Sequence, residues 1–265
     1  DGSLIDNYTN MHSASHSGYM GNFARAFLSK SRVKIGDRVR LRLINMATNR
    51  IFPLVLSGVS GQVVALDGMP LVEPRPFLDL VLAPAQRIDL IVDVAGPVAF
   101  DMNSRQGPYR LADLAVEGAN ISRQSSPIMA LLPCDLPIPN EPTQRLTLTM
   151  MGGAMSSRHG GDNIWAFNNV SDLPTGPFGS FKRGETVQMT MVNDTKFAHG
   201  IHLHGHHFFE VNSDGILGDL RDTTLVDAGK SRDIICVFDN PGRWLLHCHM
   251  LSHAAGGMRT WVNVA

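Results

Sequence analysis

Apolar residues occur along this chain in short runs, and no long run repeats at the spacing of a helix. Residues 38–44 alternate polar and apolar side chains, which is typical of a half-buried antiparallel strand. Turn signals such as Asp67-Gly68 and Gly96-Pro97 separate the runs. The pattern predicts an all-β chain of sandwich or barrel type. The predicted strands cover residues 38–44, 52–56, 63–66, 78–82, 88–94, 145–150, 164–167, 186–192, 201–204, 208–211, 223–226, 232–238, 244–249 and 259–264.

A proline-rich stretch, residues 132–142, divides these strands into two groups. Proline fixes the φ angle and cannot donate a hydrogen bond to a central strand ladder, so the stretch is typical of a linker. We predict a boundary near residue 140, with one domain at residues 1–140 and a second at 141–265.

The two predicted domains contain an internal repeat. Lys34–Asn45 aligns without a gap with Lys182–Asn193, and Arg87–Val92 aligns with Ser231–Cys236. We therefore expect two tandem copies of one β-sandwich.

The two copies differ in histidine content. When the first alignment is extended, Leu54 and Leu56 fall opposite His202 and His204, and no histidine occurs in residues 17–158. The first copy is therefore predicted to hold no imidazole-bound metal of its own.

Candidate metal ligands are concentrated near the C-terminus. Alternation along a strand places His247 and His249 on one face and Cys248 on the other. A thiolate, two imidazoles and a weak axial thioether describe a blue copper site. Cys248, His253 and Met258 provide three of these four ligands.

The fourth ligand is expected upstream, where five histidines lie close together. His202 and His204 are two positions apart and share one face of a predicted strand. His199 precedes them and can point elsewhere.

The segments HGIHLHGH (residues 199–206) and HCHMLSHAAGGM (residues 247–258) resemble the two C-terminal copper signatures of the laccase-like multicopper oxidases. The resemblance implies two cupredoxin-like Greek-key domains, equivalent to the middle and last domains of a three-domain enzyme. It also implies ligand roles: His199, Cys248, His253 and Met258 for the type 1 copper, His202 for the type 2 copper, and His204, His247 and His249 for the type 3 pair.

The resemblance further implies an oxygen-reducing enzyme. A type 1 copper would take single electrons from a phenol, an aromatic amine or a metal ion. Cys248 and the flanking His247 and His249 would pass them to a three-copper cluster that reduces O2 to water. The family cluster uses eight histidines and this sequence supplies four, so the others are expected from a missing N-terminal domain or a partner chain. Ala254 replaces a glutamate found in many bacterial relatives, which leaves the proton donor unassigned.

Two alternatives stay open. One is a two-domain copper nitrite reductase-like enzyme, although histidines on both sides of Cys248 favour the oxidase. The other is a non-catalytic copper-binding module that transfers electrons through its type 1 site alone.

Composition narrows the cellular context. The net charge of -1 argues against a nucleic-acid partner. The sequence contains no run of 18 apolar residues, so it predicts no membrane-spanning helix. The family resemblance implies a periplasmic or secreted protein. Of the three cysteines, Cys236 is predicted to be a buried apolar residue, whereas Cys134 is either free or bonded to another segment.

Several other residues invite a functional interpretation, and for each we expect a simpler one. We predict surface loops for His12, His16 and His159, an outer-shell or surface role for His206 and His207, core packing for Met150, Met151 and Met155, and a strand-capping role for Asp222.

Overall fold

The computed structural model describes residues 15–16, 23–78, 80–120, 126–154 and 164–265. Within these ranges the chain forms strands throughout, with one short helix, which confirms the all-β prediction. The described residues form no helix with the length and apolar character that crossing a bilayer requires.

The first half forms a single seven-stranded sheet. Its central strand β6 is long enough to bend and to pair with different strands along its length. Residues 87–93 of β6 pair with β2, and residues 98–104 pair with β7. The bend lies where Gly58, with a φ of 75°, faces the carbonyl of Pro97 and leaves no room for a side chain. The strands are β1 (Arg32–Ile35), β2 (Arg38–Ile44), β3 (Phe52–Leu66), β4 (Met69–Pro76), β5 (Leu80–Leu82), β6 (Arg87–Ser104) and β7 (Gly107–Ala119).

The second half forms two facing sheets of five and six strands. Their inner faces enclose one core that contains the fully buried Trp165, Phe208 and Phe238. The elements are β8 (Gln144–Gly152), β9 (Trp165–Phe167), β10 (Gly179–Phe181), β11 (Glu185–Asn193), β12 (His199–Leu203), β13 (Phe208–Val211), β14 (Leu217–Arg221), β15 (Thr223–Val226), β16 (Ser231–Phe238), β17 (Gly242–Cys248), α1 (Leu251–Ala255) and β18 (Arg259–Val264).

The alternation of apolar residues located most strands to within one or two positions, but it divided β3 into two, ended β6 ten residues early and missed β1, β4, β7, β10 and β14. Strand β4 contains three prolines and lies at the end of its sheet, where proline is tolerated. Strand β7 has only two buried residues, so its pattern is weak. The described residues between Ala119 and Gln144 form no strand, and they include the predicted boundary near residue 140; the division at that residue stays a prediction.

The internal repeat is visible in the strand pairing. Val39 pairs with Val92 between β2 and β6, and Val187 pairs with Cys236 between β11 and β16. These are equivalent positions in the aligned segments. The structure therefore confirms this part of the alignment and the buried, apolar environment of Cys236.

Two asparagines fix the equivalence of further strands. Asn45 donates a hydrogen bond from Nδ2 to the carbonyl of Leu82, at 2.9 Å. Asn193 donates the corresponding bond to the carbonyl of Val226, at 3.0 Å. Strands β5 and β15 are therefore counterparts.

This equivalence corrects the extended alignment. Phe52 pairs with Leu82 and His199 pairs with Val226, which makes Phe52 the counterpart of His199. Seven positions separate Asn45 from Phe52, but six separate Asn193 from His199, so the first loop is one residue longer.

The prediction that Leu54 and Leu56 stand at the positions of His202 and His204 is therefore wrong by one residue. The two leucines pack into the core, and their counterparts do the same. These counterparts are Ile201 and Leu203.

The two halves contact each other beside the predicted ligands. The backbone N–H of Leu251, the first residue of α1, donates to the carbonyl of Thr48 at 2.8 Å. The backbone N–H and hydroxyl of Ser252 both lie near Asn49 Oδ1, at 3.1 and 2.7 Å. The first half therefore anchors the short helix that carries His253.

Candidate metal centre

Three buried side chains converge at one end of the second core. Cys248 Sγ lies 3.6 Å from His199 Nδ1 and 3.7 Å from His253 Nδ1, and the two nitrogens are 3.1 Å apart. All three residues are fully buried. Among the residues that the structure describes, this is the group whose ligating atoms lie close enough to share one metal ion.

Strand pairing and a tight turn produce this convergence. Antiparallel pairing of β12 with β17 sets Ile201 opposite Cys248. After β17 the chain turns through α1, and the N–H of Met258 donates to the carbonyl of His253. The N–H of Cys248 in turn donates to the carbonyl of Met258, at 3.1 Å. Met258, which is fully buried, is therefore held beside two of the three converging residues.

The outer nitrogens of both imidazoles are occupied by oxygen acceptors. His253 Nε2 donates to the carbonyl of His16 at 3.0 Å. His199 Nε2 lies 2.9 Å from the hydroxyl of Thr195, whose own proton is directed to the side chain of Asn193 at 2.7 Å. Each imidazole therefore carries its proton on Nε2 and presents the Nδ1 lone pair inward, as a metal ligand requires.

An aromatic side chain packs against these two imidazoles. The Trp165 ring centre lies 4.3 Å from that of His253 and 5.1 Å from that of His199. Trp165 is fully buried, and Phe197 packs edge-on against it. The imidazoles are therefore held by packing as well as by hydrogen bonds.

Burial keeps the group uncharged in the absence of a metal. It raises the pKa of the Cys248 thiol to about 12, even though the backbones of Met250 and Gly200 act in the opposite direction. It lowers the pKa of His253 to about 4 and that of His199 well below its usual value. A metal that binds the thiolate must therefore displace a proton.

Four more imidazoles form a second cluster on the other side of β17. Cross-strand pairing sets His202 opposite His247. Their ring centres lie 5.8 Å apart, and those of His247 and His249 lie 5.3 Å apart. His204 lies at the turn after β12, with Nε2 3.0 Å from Nε2 of His247. Its exposed side chain leaves the cluster open to solvent there.

Hydrogen bonds orient two of these imidazoles. His202 Nδ1 donates to the carbonyl of Asp222 at 2.9 Å, and His247 Nδ1 lies 2.9 Å from the carbonyl of Cys248. Both rings are therefore protonated on Nδ1 and present the Nε2 lone pair. Nδ1 of His249 is buried and has no hydrogen-bond partner among the described residues.

Burial also favours the neutral form of three of these imidazoles, because it lowers the pKa of His204, His247 and His249. Burial lowers the pKa of His247 to about 4, and the neighbouring histidines act in the same direction. Burial opposes ionisation of Asp222, but the nearby ring of His202 and the hydrogen bonds from Arg87 and Thr223 outweigh it and hold the pKa of Asp222 well below its usual value. Neutral imidazoles with free lone pairs are the form that binds metals.

The donor sets identify the metal that each cluster suits. Two imidazole nitrogens, one thiolate and an adjacent thioether match a blue copper site. An all-imidazole cluster also suits copper among other transition metals. The described residues therefore fit copper at both positions.

Sequence comparison gives the same result. Two family models, both described as multicopper oxidase, match residues 7–120 and residues 139–265. The chain belongs to the multicopper oxidase family. The family uses copper as its cofactor, in agreement with the donor sets.

Individual relatives show how much of such a protein this chain represents. It is 31% identical over 244 residues to the multicopper oxidase MmcO of Mycobacterium tuberculosis, covering 86% of this chain and 47% of that protein. It is 54% identical to Lac15 from a marine microbial metagenome, with a TM-score of 0.79 over 92% of this chain and 60% of that one. The multicopper oxidase of Pseudomonas thermotolerans, at 24% identity and a TM-score of 0.78, shares the fold. This multicopper oxidase chain thus spans about half to three fifths of the first two relatives.

The eight predicted ligands fall into the two clusters described above. His199, Cys248 and His253 converge with Met258 alongside, and the other four imidazoles gather on the opposite side of β17. Strands β12 and β17 end one residue before His204 and His249, but the two-sided arrangement of Cys248 and its neighbours holds.

The structure describes three further histidine and aspartate residues for which we predict simpler roles, and it changes the expectation for two of them. His16 was expected in a surface loop, but its half-buried ring packs against Phe197 and its carbonyl binds His253. His206 is buried, and its Nδ1 donates to the carbonyl of His204 at 3.2 Å, which is an outer-shell contact. Asp222 was expected to cap a strand, but it forms an ion pair with Arg87 instead.

The structure also shows the surroundings of two methionines and of the cysteine in the proline-rich stretch. Met150 and Met151 are buried in the core, and Cys134 is exposed and free. Three residues, His12, Met155 and His159, lie outside the described parts of the chain.

Sequence reasoning missed the residues that support the ligands. These are Thr195, Trp165 and the carbonyl of His16 at the first cluster, and Thr223 with the pair Arg87–Asp222 at the second. The only available sequence signal was the repeat, since Thr195 stands where the first copy has Ala47.

Proposed function

We propose that this chain is the electron-accepting and partial oxygen-reducing portion of a laccase-like oxidase. His199, Cys248, His253 and Met258 hold the type 1 copper. His202 binds the type 2 copper, and His204, His247 and His249 bind the type 3 pair. Copper supplies reversible one-electron chemistry at the first site, and a cluster of coppers can give dioxygen the four electrons that its reduction to water requires.

One observation carries the proposal: Cys248 points into the first cluster while both of its neighbours in sequence point into the second. His202 faces His247 across the strand pair, and Ile201 faces Cys248. A single peptide unit therefore separates the sulfur from each flanking histidine, and the protein provides a short covalent path between the two clusters.

The protein's own residues also protect the first site from water. The three converging side chains are fully buried, and Trp165 covers both imidazoles. A rigid, dry site keeps the same ligand geometry in both oxidation states. Such a site suits electron transfer, whereas an open site would suit substrate binding.

We further propose that the other four cluster histidines come from an N-terminal cupredoxin domain or a partner chain. The chain covers only 47% of MmcO. The exposed side of the second cluster, at His204, is where the remaining ligands would enter. Ala254 lies on α1 beside the first site and offers no proton donor, so that group would also come from elsewhere.

The reducing substrate is proposed to be a phenol, an aromatic amine or a metal ion, with O2 as the acceptor. A periplasmic or secreted location is proposed as well. Both rest on membership of the multicopper oxidase family.

Copper analysis of the full-length gene product tests the proposal. We expect a blue absorption, a separate type 2 EPR signal, an EPR-silent coupled pair and O2 consumption with a phenolic donor. One copper per chain with blue absorption alone would instead identify an electron-transfer module. A type 1 and a type 2 signal with nitrite turnover and no coupled pair would identify a reductase.

A further inference from the structure

An arginine of the first domain binds an aspartate that lies beside the second cluster. Arg87, at the start of β6, binds Asp222 of the second domain with both arms of its guanidinium, at 2.9 and 2.7 Å. Asp222 lies between β14 and β15, and its side chain is largely buried. Paired parallel hydrogen bonds of this kind fix the direction of both partners.

Arg87 is itself held in place by the first domain. Its guanidinium donates to the carbonyls of Asp67 and Ala85, at 2.6 and 3.0 Å. Its backbone N–H donates to the carboxylate of Asp67 at 2.9 Å. Asp67 and Ala85 both have left-handed φ angles, 50° and 71°, which are uncommon for non-glycine residues, although aspartate tolerates them in turns. The arginine therefore has one available direction.

Asp222, held by Arg87, in turn orients the imidazole of His202. The Thr223 hydroxyl donates to Asp222 Oδ1 at 2.7 Å, which turns its lone pairs toward His202. His202 Nδ1 lies 3.0 Å from that hydroxyl oxygen and 2.9 Å from the carbonyl of Asp222. Two acceptors on adjacent residues therefore hold the Nδ1 proton.

We propose that Arg87 is a positioning residue for the type 2 copper. Through Asp222 and Thr223 it fixes the ring plane of His202, so that Nε2 points at the metal. The domain without metal ligands thereby sets the geometry of a ligand in the domain that has them. This inference rests on the type 2 role proposed for His202.

A second ion pair across the same interface provides a matched control. Arg75 in β4 binds Asp219 in β14 with both arms, at 2.9 and 2.6 Å. This pair is more exposed than Arg87–Asp222. The Arg75–Asp219 pair joins the domains by the same chemistry. Only the Arg87–Asp222 pair is connected to His202 through the hydroxyl of Thr223.

The test compares Arg87→Met with Arg75→Met in the full-length, copper-loaded oxidase. The readouts are the type 2 EPR signal and the retention of type 2 copper against a chelator, with the blue absorption as internal reference. Loss of an outer-shell partner typically weakens metal binding about 10- to 100-fold. We expect Arg87→Met to lose type 2 copper at a chelator concentration lower by that factor, with a changed EPR hyperfine pattern. Arg75→Met should retain the parental signal.

Two further variants complete the design. Arg87→Lys keeps the charge but lacks the two-armed geometry, so it should still weaken type 2 binding if Arg87→Met does not fold. Thr223→Val removes the hydroxyl at the end of the chain of contacts and should reproduce the effect. If Arg87→Met and Arg87→Lys retain normal type 2 copper, Arg87 is only a brace between domains and the inference is wrong. A parental protein without any type 2 copper would instead overturn the proposed function, and the inference with it.

Discussion

Asn45 and Asn193 close equivalent loops in the two domains with corresponding hydrogen bonds. Each donates from Nδ2 to a later strand, β5 in the first domain and β15 in the second, and each accepts at Oδ1 the backbone N–H two residues later. In the first domain that later residue is Ala47, and in the second it is Thr195. Because Thr195 adds a hydroxyl, the asparagine of the second domain is connected to His199.

We predict that Asn193→Leu and Asn45→Leu destabilise the protein similarly, since each leaves buried carbonyls without a donor. One such unsatisfied group costs about 1–3 kcal/mol. Only Asn193→Leu should also change the blue absorption and the type 1 reduction potential, because Thr195 loses its acceptor. Urea unfolding of the metal-free proteins and spectroscopy of the copper-loaded ones measure the two effects separately. An equal change of colour in both variants would disprove the connection from Asn193 to His199.

Met258→Leu should raise the type 1 reduction potential. A thioether donates electron density to the oxidised metal, so its removal favours the reduced form. We expect a shift of the order of 60 mV, which corresponds to a tenfold change in the equilibrium for one electron. A redox titration followed by the blue absorption gives the value.

Met102 supplies the control for this substitution, since it is buried in the core of the first domain. Met102→Leu should leave the potential unchanged. A potential unaffected by Met258→Leu would show that Met258 packs near the site without acting as a ligand.

Glu185 should make a small, pH-dependent contribution to stability. Hydrogen bonds from the backbone N–H of Lys182 and from Thr143 and Gln144 lower the pKa of Glu185. The pKa of Glu185 is lower in the folded state than in the unfolded state. Its contribution to stability is therefore fully present at pH values above the pKa of the unfolded state, and it is lost as the pH falls through the pKa of the folded state.

Glu185→Gln should therefore lower the midpoint of thermal unfolding at pH 7, by an amount equivalent to less than about 1 kcal/mol for a partly exposed group near the surface. The difference from the parent should vanish at low pH. Glu73→Gln, on an exposed strand position, serves as the control. A difference that persists unchanged in acid would contradict the assigned role of the carboxylate.

The convergence of the candidate ligands could be predicted from sequence because each contributing segment is short and strands alternate. The spacing of Cys248, His253 and Met258 within one segment indicated three of these residues, and the resemblance to the family signatures added His199 and the other histidines. The supporting contacts could not be predicted, since Arg87 and Asp222 are 135 positions apart and meet only when the two domains pack. The alignment of Leu54 with His202 failed for a local reason, because one extra loop residue shifts the alternation of all that follows.

The most direct test of the account is the blue absorption of the full-length oxidase with Cys248→Ser. Cys236→Ser is the matched control, because Cys236 is equally buried in the same core. We predict that Cys248→Ser abolishes the blue colour and retains the type 2 EPR signal, whereas Cys236→Ser keeps both. A copper-loaded Cys248→Ser protein that stays blue would contradict the assignment of Cys248 to the type 1 site.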